Sequence, residues 1–163
     1  VILVGAAVVI GVASILLDLW TGAPILYVVT SGEEMISELP SITAASTVVA
    51  IIVLKSIAYA VSLGAGFRGG PFFPVMFVGA AVGLLASLVL PEGPQTQAAM
   101  IVGVVAAVVA TAPMGWRVAI ILGAVIGFAM GGWALVPAAV IAAVVSRAVP
   151  RWGDRIVPAQ HGT

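Results

Sequence analysis

Apolar residues run along this chain in long unbroken blocks, without the period-2 or one-sided period-3.6 patterning that marks elements half-exposed to water. Val1 to Leu19 is an apolar segment whose only charge is Asp18 near its end, and Trp20 follows as an interfacial anchor. About 19 residues at 1.5 Å each cross a hydrocarbon core of about 30 Å, so the pattern predicts a spanning helix. Thr21 to Pro40 turns polar: Gly22-Ala23-Pro24 reads as a turn and Tyr27 as an interface residue. Ser31 to Leu39 reads as a short helix with Ser31 as N-cap and Glu34 completing a capping box. Glu33, Glu34 and Glu38 are expected to form its solvated face. Ser41 to Leu63 predicts a second span, opened by Ser41 or Thr43 and carrying the single charge Lys55. A lysine that deep either lines a polar path or snorkels along its stem, and its place past the middle of the segment favours snorkelling. Tyr59, one turn later, could partner it.

The blocks are then interrupted at Gly64-Ala65-Gly66-Phe67-Arg68-Gly69-Gly70-Pro71-Phe72-Phe73-Pro74, with four glycines, two prolines and a cation. Hydrocarbon cannot satisfy the backbone groups of an unwound segment, so at bilayer depth such a stretch survives only where protein or a watery cavity covers it. Pro71 to Leu90 predicts a third helix, whose Gly79 and Gly83 form a small-residue pair that admits a neighbouring backbone. Pro91-Glu92-Gly93-Pro94 ends it in a turn.

Ala98 to Met130 is split at Ala110-Thr111-Ala112-Pro113-Met114-Gly115-Trp116-Arg117 into pieces of about 14 residues, each about 21 Å long and short of a full crossing. The expectation is a pair of half-spanning helices meeting at a break, the device by which transporters build sites at the midplane; the alternative is one kinked helix with Arg117 snorkelling. Gly123, Gly127 and Gly131 repeat the four-residue spacing. Trp133 to Val149 predicts a last helix with Pro137 in its first turn, where a missing N–H costs least. Arg147, Arg151 and Arg155 then place that end at the cytoplasmic face. Residues 150 to 163 read as a polar tail, and His161 there as a tail residue.

Composition agrees. The chain is 63% hydrophobic and 7% charged, where a soluble domain has about a quarter of its residues charged. Six basic residues balance six acidic ones, so no stripe for nucleic acid exists, and zero cysteines exclude disulfides and thiolate metal sites. No Ser/His/Asp set, metal-ligand cluster or phosphate motif is present, so neither an enzyme nor a cofactor or metal is expected. Val1 opens directly into an apolar segment with no initiating Met and no signal-peptide pattern, which predicts a fragment.

Helix-start chemistry gives the central break its meaning. Pro71 suits the first helical position, so the following turn offers the N–H groups of Phe72 and Phe73 at the positive end of a macrodipole of roughly half a charge. Such amides favour an anion, and partial charge binds it weakly enough to release it. Arg68 adds longer-range attraction. The competing reading is an ordinary loop outside the membrane with Arg68 in water.

These residues resemble a family. Gly64 to Pro74 followed by Val75-Met76-Phe77-Val78-Gly79-Ala80-Ala81-Val82-Gly83 is similar to the pattern G-x-G-x-x-G-G-x-F-x-P of CLC chloride channels and anion–proton antiporters, and Ala112-Pro113 falls where they have an A-P step. The resemblance covers roughly residues 1 to 149 and looks like the C-terminal half of the membrane domain, followed by the tail at 150 to 163. It implies an all-α polytopic membrane fold with tilted, broken and half-spanning helices, in the cell membrane. It also implies a chloride pathway in which Gly70, Phe72 and Phe73 contact the anion while Gly66, Arg68, Gly69, Pro71 and Pro74 shape or polarise the route. Pro71 stands where the family offers an amide, which leaves Phe72 as the first donor. The family's tyrosine in a last helix has no counterpart after Val149, and its gating-glutamate and serine loops belong to the missing N-terminal half. Expected partners are membrane lipid, that missing half and a second copy in a homodimer, with residues 114 to 130 and 133 to 149 near the interface; Gly123, Gly127 and Gly131 could serve that interface or pack within a subunit. Two other readings are an unrelated secondary carrier for a small carboxylate and a membrane scaffold subunit built on small-residue packing.

Overall fold

The computed structural model describes residues 2–30, 32, 34–66, 70, 72–90 and 95–149. Among them, all regular structure is helical: α1 (Ile2–Thr21), α2 (Leu26–Val29), α3 (Ala45–Gly64), α4 (Phe72–Val89), α5 (Thr96–Thr111), α6 (Trp116–Gly131) and α7 (Val136–Ala148), with three short 3-10 turns. Within α1, α3 and α4 lie three stretches long and apolar enough to cross a membrane, and the later helices are shorter. This is the all-α membrane architecture expected from the hydropathy blocks.

The polar stretch between α1 and α3 departs from expectation. In place of a short helix it holds two 3-10 turns, Glu34–Ile36 and Leu39–Ser41. Ser31 and Glu33 lie outside the described residues, so the expected capping box does too. Neither Ser41 nor Thr43 caps α3; Ala44 occupies that position in an extended conformation. Ser41 is instead drawn into the preceding turn, its hydroxyl donating to the Glu38 carbonyl at 2.7 Å.

Lipid tails are as apolar as leucine, so helices in a membrane are held by close packing and interhelical hydrogen bonds. The α4–α5 contact shows the first. A Cβ added at Gly79 would lie 2.7 Å from the Ala107 Cβ, and one at Gly83 2.6 Å from the Ala99 carbonyl carbon. The expected small-residue pair is therefore where two backbones meet, with Gly103 supplying the same room from α5.

Residues 112–115 separate α5 from α6, as Pro113 predicts, and the chain reverses there. Near the far end of this hairpin the Gln97 side-chain amide donates to the Met130 carbonyl at 3.3 Å, so the two 16-residue helices run side by side and antiparallel. The kinked-helix alternative is excluded. α7 then packs back along α6: Cβ atoms at Gly123 and Gly127 would lie 2.8 Å from the Ala143 Cβ and 2.6 Å from the Ala139 Cβ. The glycine spacing of α6 is thus used inside the chain. Polar bonds close the group, Ser146 Oγ donating to the Ala106 carbonyl at 2.7 Å and Arg147 Nε to the Met114 carbonyl at 3.0 Å. Arg147 also lies over the Trp116 ring at 5.6 Å, so the first of the expected cytoplasmic arginines is spent on the α5–α6 turn. Arg117 beside it is exposed. Pro137 sits in the first turn of α7, as expected.

Candidate anion site

Near the start of the glycine-rich break, α3 is stopped. Gly66 has φ +85°, a left-handed conformation that side chains resist, and the Ala65 and Gly66 amides donate to the Val61 and Leu63 carbonyls at 2.9 and 3.1 Å. On the far side α4 begins at Phe72 and runs for 18 residues, so its first turn lies between the break and a long, aligned set of peptide dipoles. The amides of the first three helical residues have no acceptor within a helix. Pro74 has no N–H, which leaves those of Phe72 and Phe73 as the donors of this turn. Their rings are exposed and meet edge to face, centroids 5.8 Å apart.

That turn opens on a cavity of about 440 Å³, whose wall includes Gly70, Phe72, Phe73 and Pro74 on one side and Lys55, Tyr59 and Ser62 on the other. Of the residues proposed from sequence, four therefore share one cavity. Gly66 is not among its lining, its part being to end α3. Arg68, Gly69 and Pro71 lie outside the described residues. A second hollow, of about 810 Å³, is lined by Met76, Met100, Met130, Gln97 and their neighbours, with no charged side chain and no part of the α4 start.

Lys55 is where the structure adds most. It does not run out along its stem: it is 2% exposed, and Nζ donates to the Val28 carbonyl at 3.3 Å and to the Thr30 carbonyl. Those carbonyls end the short α2, where a cation is favoured. The ammonium also lies 5.2 Å from the centroid of the Phe77 ring, one of the largest fully buried side chains. Phe77 is backed by Tyr27 at 6.2 Å and closely covered by Gly32, whose φ of +93° brings the loop backbone down on the ring. Burial, and to a lesser extent the charge of Glu38, pushes the Tyr27 hydroxyl above its ordinary pKa of 10.0, so it stays protonated.

The sequence did carry a signal for this wall. Lys55, Tyr59 and Ser62 stand at i, i+4 and i+7 and so share one face of a helix. Chemically, the cavity joins a helix N-terminus to a buried ammonium and the hydroxyl-bearing Tyr59, which suits a small anion; the Thr30 and Ser62 hydroxyls on the same wall donate to the Leu26 and Ala58 carbonyls. Among the described residues no cluster fit to hold a metal ion occurs.

No curated protein and no solved structure matches the chain. The family model described as voltage gated chloride channel matches residues 1–151, all but the last residues of the chain. The chain therefore belongs to the voltage-gated chloride channel family, the CLC channels and antiporters, whose work is the transport of chloride and related anions across membranes.

Proposed function

We propose that this chain forms one wall of an anion pathway, in which chloride or a similar small ion is held by the backbone amides of Phe72 and Phe73 at the start of α4. The observation that carries the reading is the shared cavity: Gly70, Phe72, Phe73 and Pro74 line it together with the buried Lys55. Two prolines limit the donors. Pro71 and Pro74 lack N–H groups, so fewer amides face the ion than a full first turn would offer, and binding is kept reversible. Gly70 adds no side chain to the cavity wall, the positive charge that Arg68 brings to this stretch of sequence favours anions, and Gly66 sets where α3 ends. No bond is made or broken, and no cofactor is required.

In the same reading, the chain is the C-terminal half of a multi-pass domain in the cell membrane. The N-terminal half supplies the opposite wall, and the assembly is a homodimer with one pathway in each subunit. The exposed apolar side chains of α1 and α6 are the surfaces such partners and lipid would cover.

Anion efflux from liposomes containing the full-length protein tests this. Chloride efflux is expected, reduced on the order of tenfold by deletion of Gly69-Gly70, which displaces the α4 start, and less by Arg68→Ala. Efflux unaffected by both changes overturns the proposal, and efflux of small carboxylates in place of chloride supports a carboxylate carrier.

A further inference from the structure

Lys55 is the one charged side chain among the described residues that is buried, and a scaffold of apolar side chains would be simpler without it. Its surroundings show why it stays. An ammonium has three donors. Two go to the Val28 and Thr30 carbonyls, which fix Nζ in place, and Phe77 covers it from one side. No protein acceptor for the third is found among the described residues, and the side chain lines the cavity at the α4 start. Tyr59 and Ser62 continue the same face of α3 toward Gly70 and Phe72. The Ser62 hydroxyl donates to the Ala58 carbonyl at 2.9 Å, leaving lone pairs but no proton for the cavity. Lys55 is thus the cavity's strongest source of positive charge among the described side chains.

We infer that Lys55 is a specificity-determining residue of the anion site: its charge, held at the wall of the cavity by the end of α2, sets how tightly an anion is bound there. The inference rests on the proposed anion pathway and extends it from the backbone of α4 to a side chain of α3. A fixed charge acts here without closing on the ion, because two carbonyls hold the ammonium against the wall. The dipole at the α4 start attracts from one side and Lys55 from the other, and an anion between them is stabilised by both. Removing the charge while keeping a hydrogen-bond donor weakens binding and leaves the pathway open.

The test uses the full-length protein in liposomes and measures chloride efflux against chloride concentration for the unaltered protein and for Lys55→Gln. The expected result is an apparent chloride constant raised on the order of tenfold, as the loss of one fixed charge near the ion would give, with maximal flux changed little. Ser62→Lys, added in the Lys55→Gln background, returns a charge to the same face of α3 and recovers most of the affinity. A Lys55→Gln constant equal to that of the unaltered protein, or a loss that Ser62→Lys does not recover, overturns the inference. If Lys55→Gln fails to fold, Ser62→Glu is compared with Ser62→Gln. The added carboxylate opposes the Lys55 charge with its carbonyl contacts intact, so only Ser62→Glu should raise the constant; equal constants overturn the inference. Absence of anion efflux from the unaltered protein is a different result and removes the proposed function itself.

Discussion

At the scale of single residues, the glycines of α4 and the lysine of α3 show two ways in which a side chain, or its absence, fixes a membrane fold. Gly83 is held against the Ala99 carbonyl group of α5, where a Cβ has no room. Gly83→Val therefore has to push two backbones apart, and full-length protein in detergent should lose about 1–3 kcal/mol of stability in thermal unfolding, whereas Gly5→Ala, which meets nothing within 4 Å, should change little. The small-residue pair was legible in the sequence because four-residue spacing is a local property. Lys55 was not. Its depth pointed to snorkelling, but its partners are 25 and 27 positions away, and only the folded chain puts the end of α2 beside α3. The break between α3 and α4 was legible, since glycine, proline and a cation are rare in such apolar surroundings.

At the scale of elements, the α5–α6 turn decides how three short helices are arranged. Pro113 announced the break, but nothing local says that the chain reverses rather than continuing after a kink. That direction comes from α7, whose Arg147 and Ser146 reach back to the Met114 and Ala106 carbonyls. Arg147→Met removes the donor and the Trp116 contact while keeping much of the stem. The expected outcome is a loss of about 1–3 kcal/mol, together with faster hydrogen exchange at the Met114 amide, which donates to the Ala112 carbonyl at 2.9 Å. Arg147→Lys should restore part of both. The short helix expected before α3 failed for a related reason: its polar residues favour local side-chain bonds, and the loop there is shaped by covering Phe77.

At the scale of the whole molecule, two questions remain joined: what covers the exposed apolar faces, and what completes the cavity. The glycine face of α6 is occupied by α7, so a second copy of the chain would have to meet α6 on another side. Ile121 and Val125 are 63% and 57% exposed, whereas Ala119 and Ile126 are buried. If α6 lies at a dimer interface, single cysteines at Ile121 and Val125 in full-length protein should form cross-linked dimers and those at Ala119 and Ile126 should not; the reverse pattern would remove α6 from the interface. The cavity leads to a sharper test. The claim on which everything else depends is that backbone amides at the start of α4 hold the anion. Replacing Phe72 by its α-hydroxy acid turns that one amide into an ester, deleting the N–H and leaving every side chain in place. Chloride binding to the full-length protein, measured by calorimetry, should weaken tenfold or more, on the order of one hydrogen bond to a charged ligand; the same substitution at Val78, within α4, should not weaken it comparably. Unchanged chloride affinity in the Phe72 ester would contradict the account.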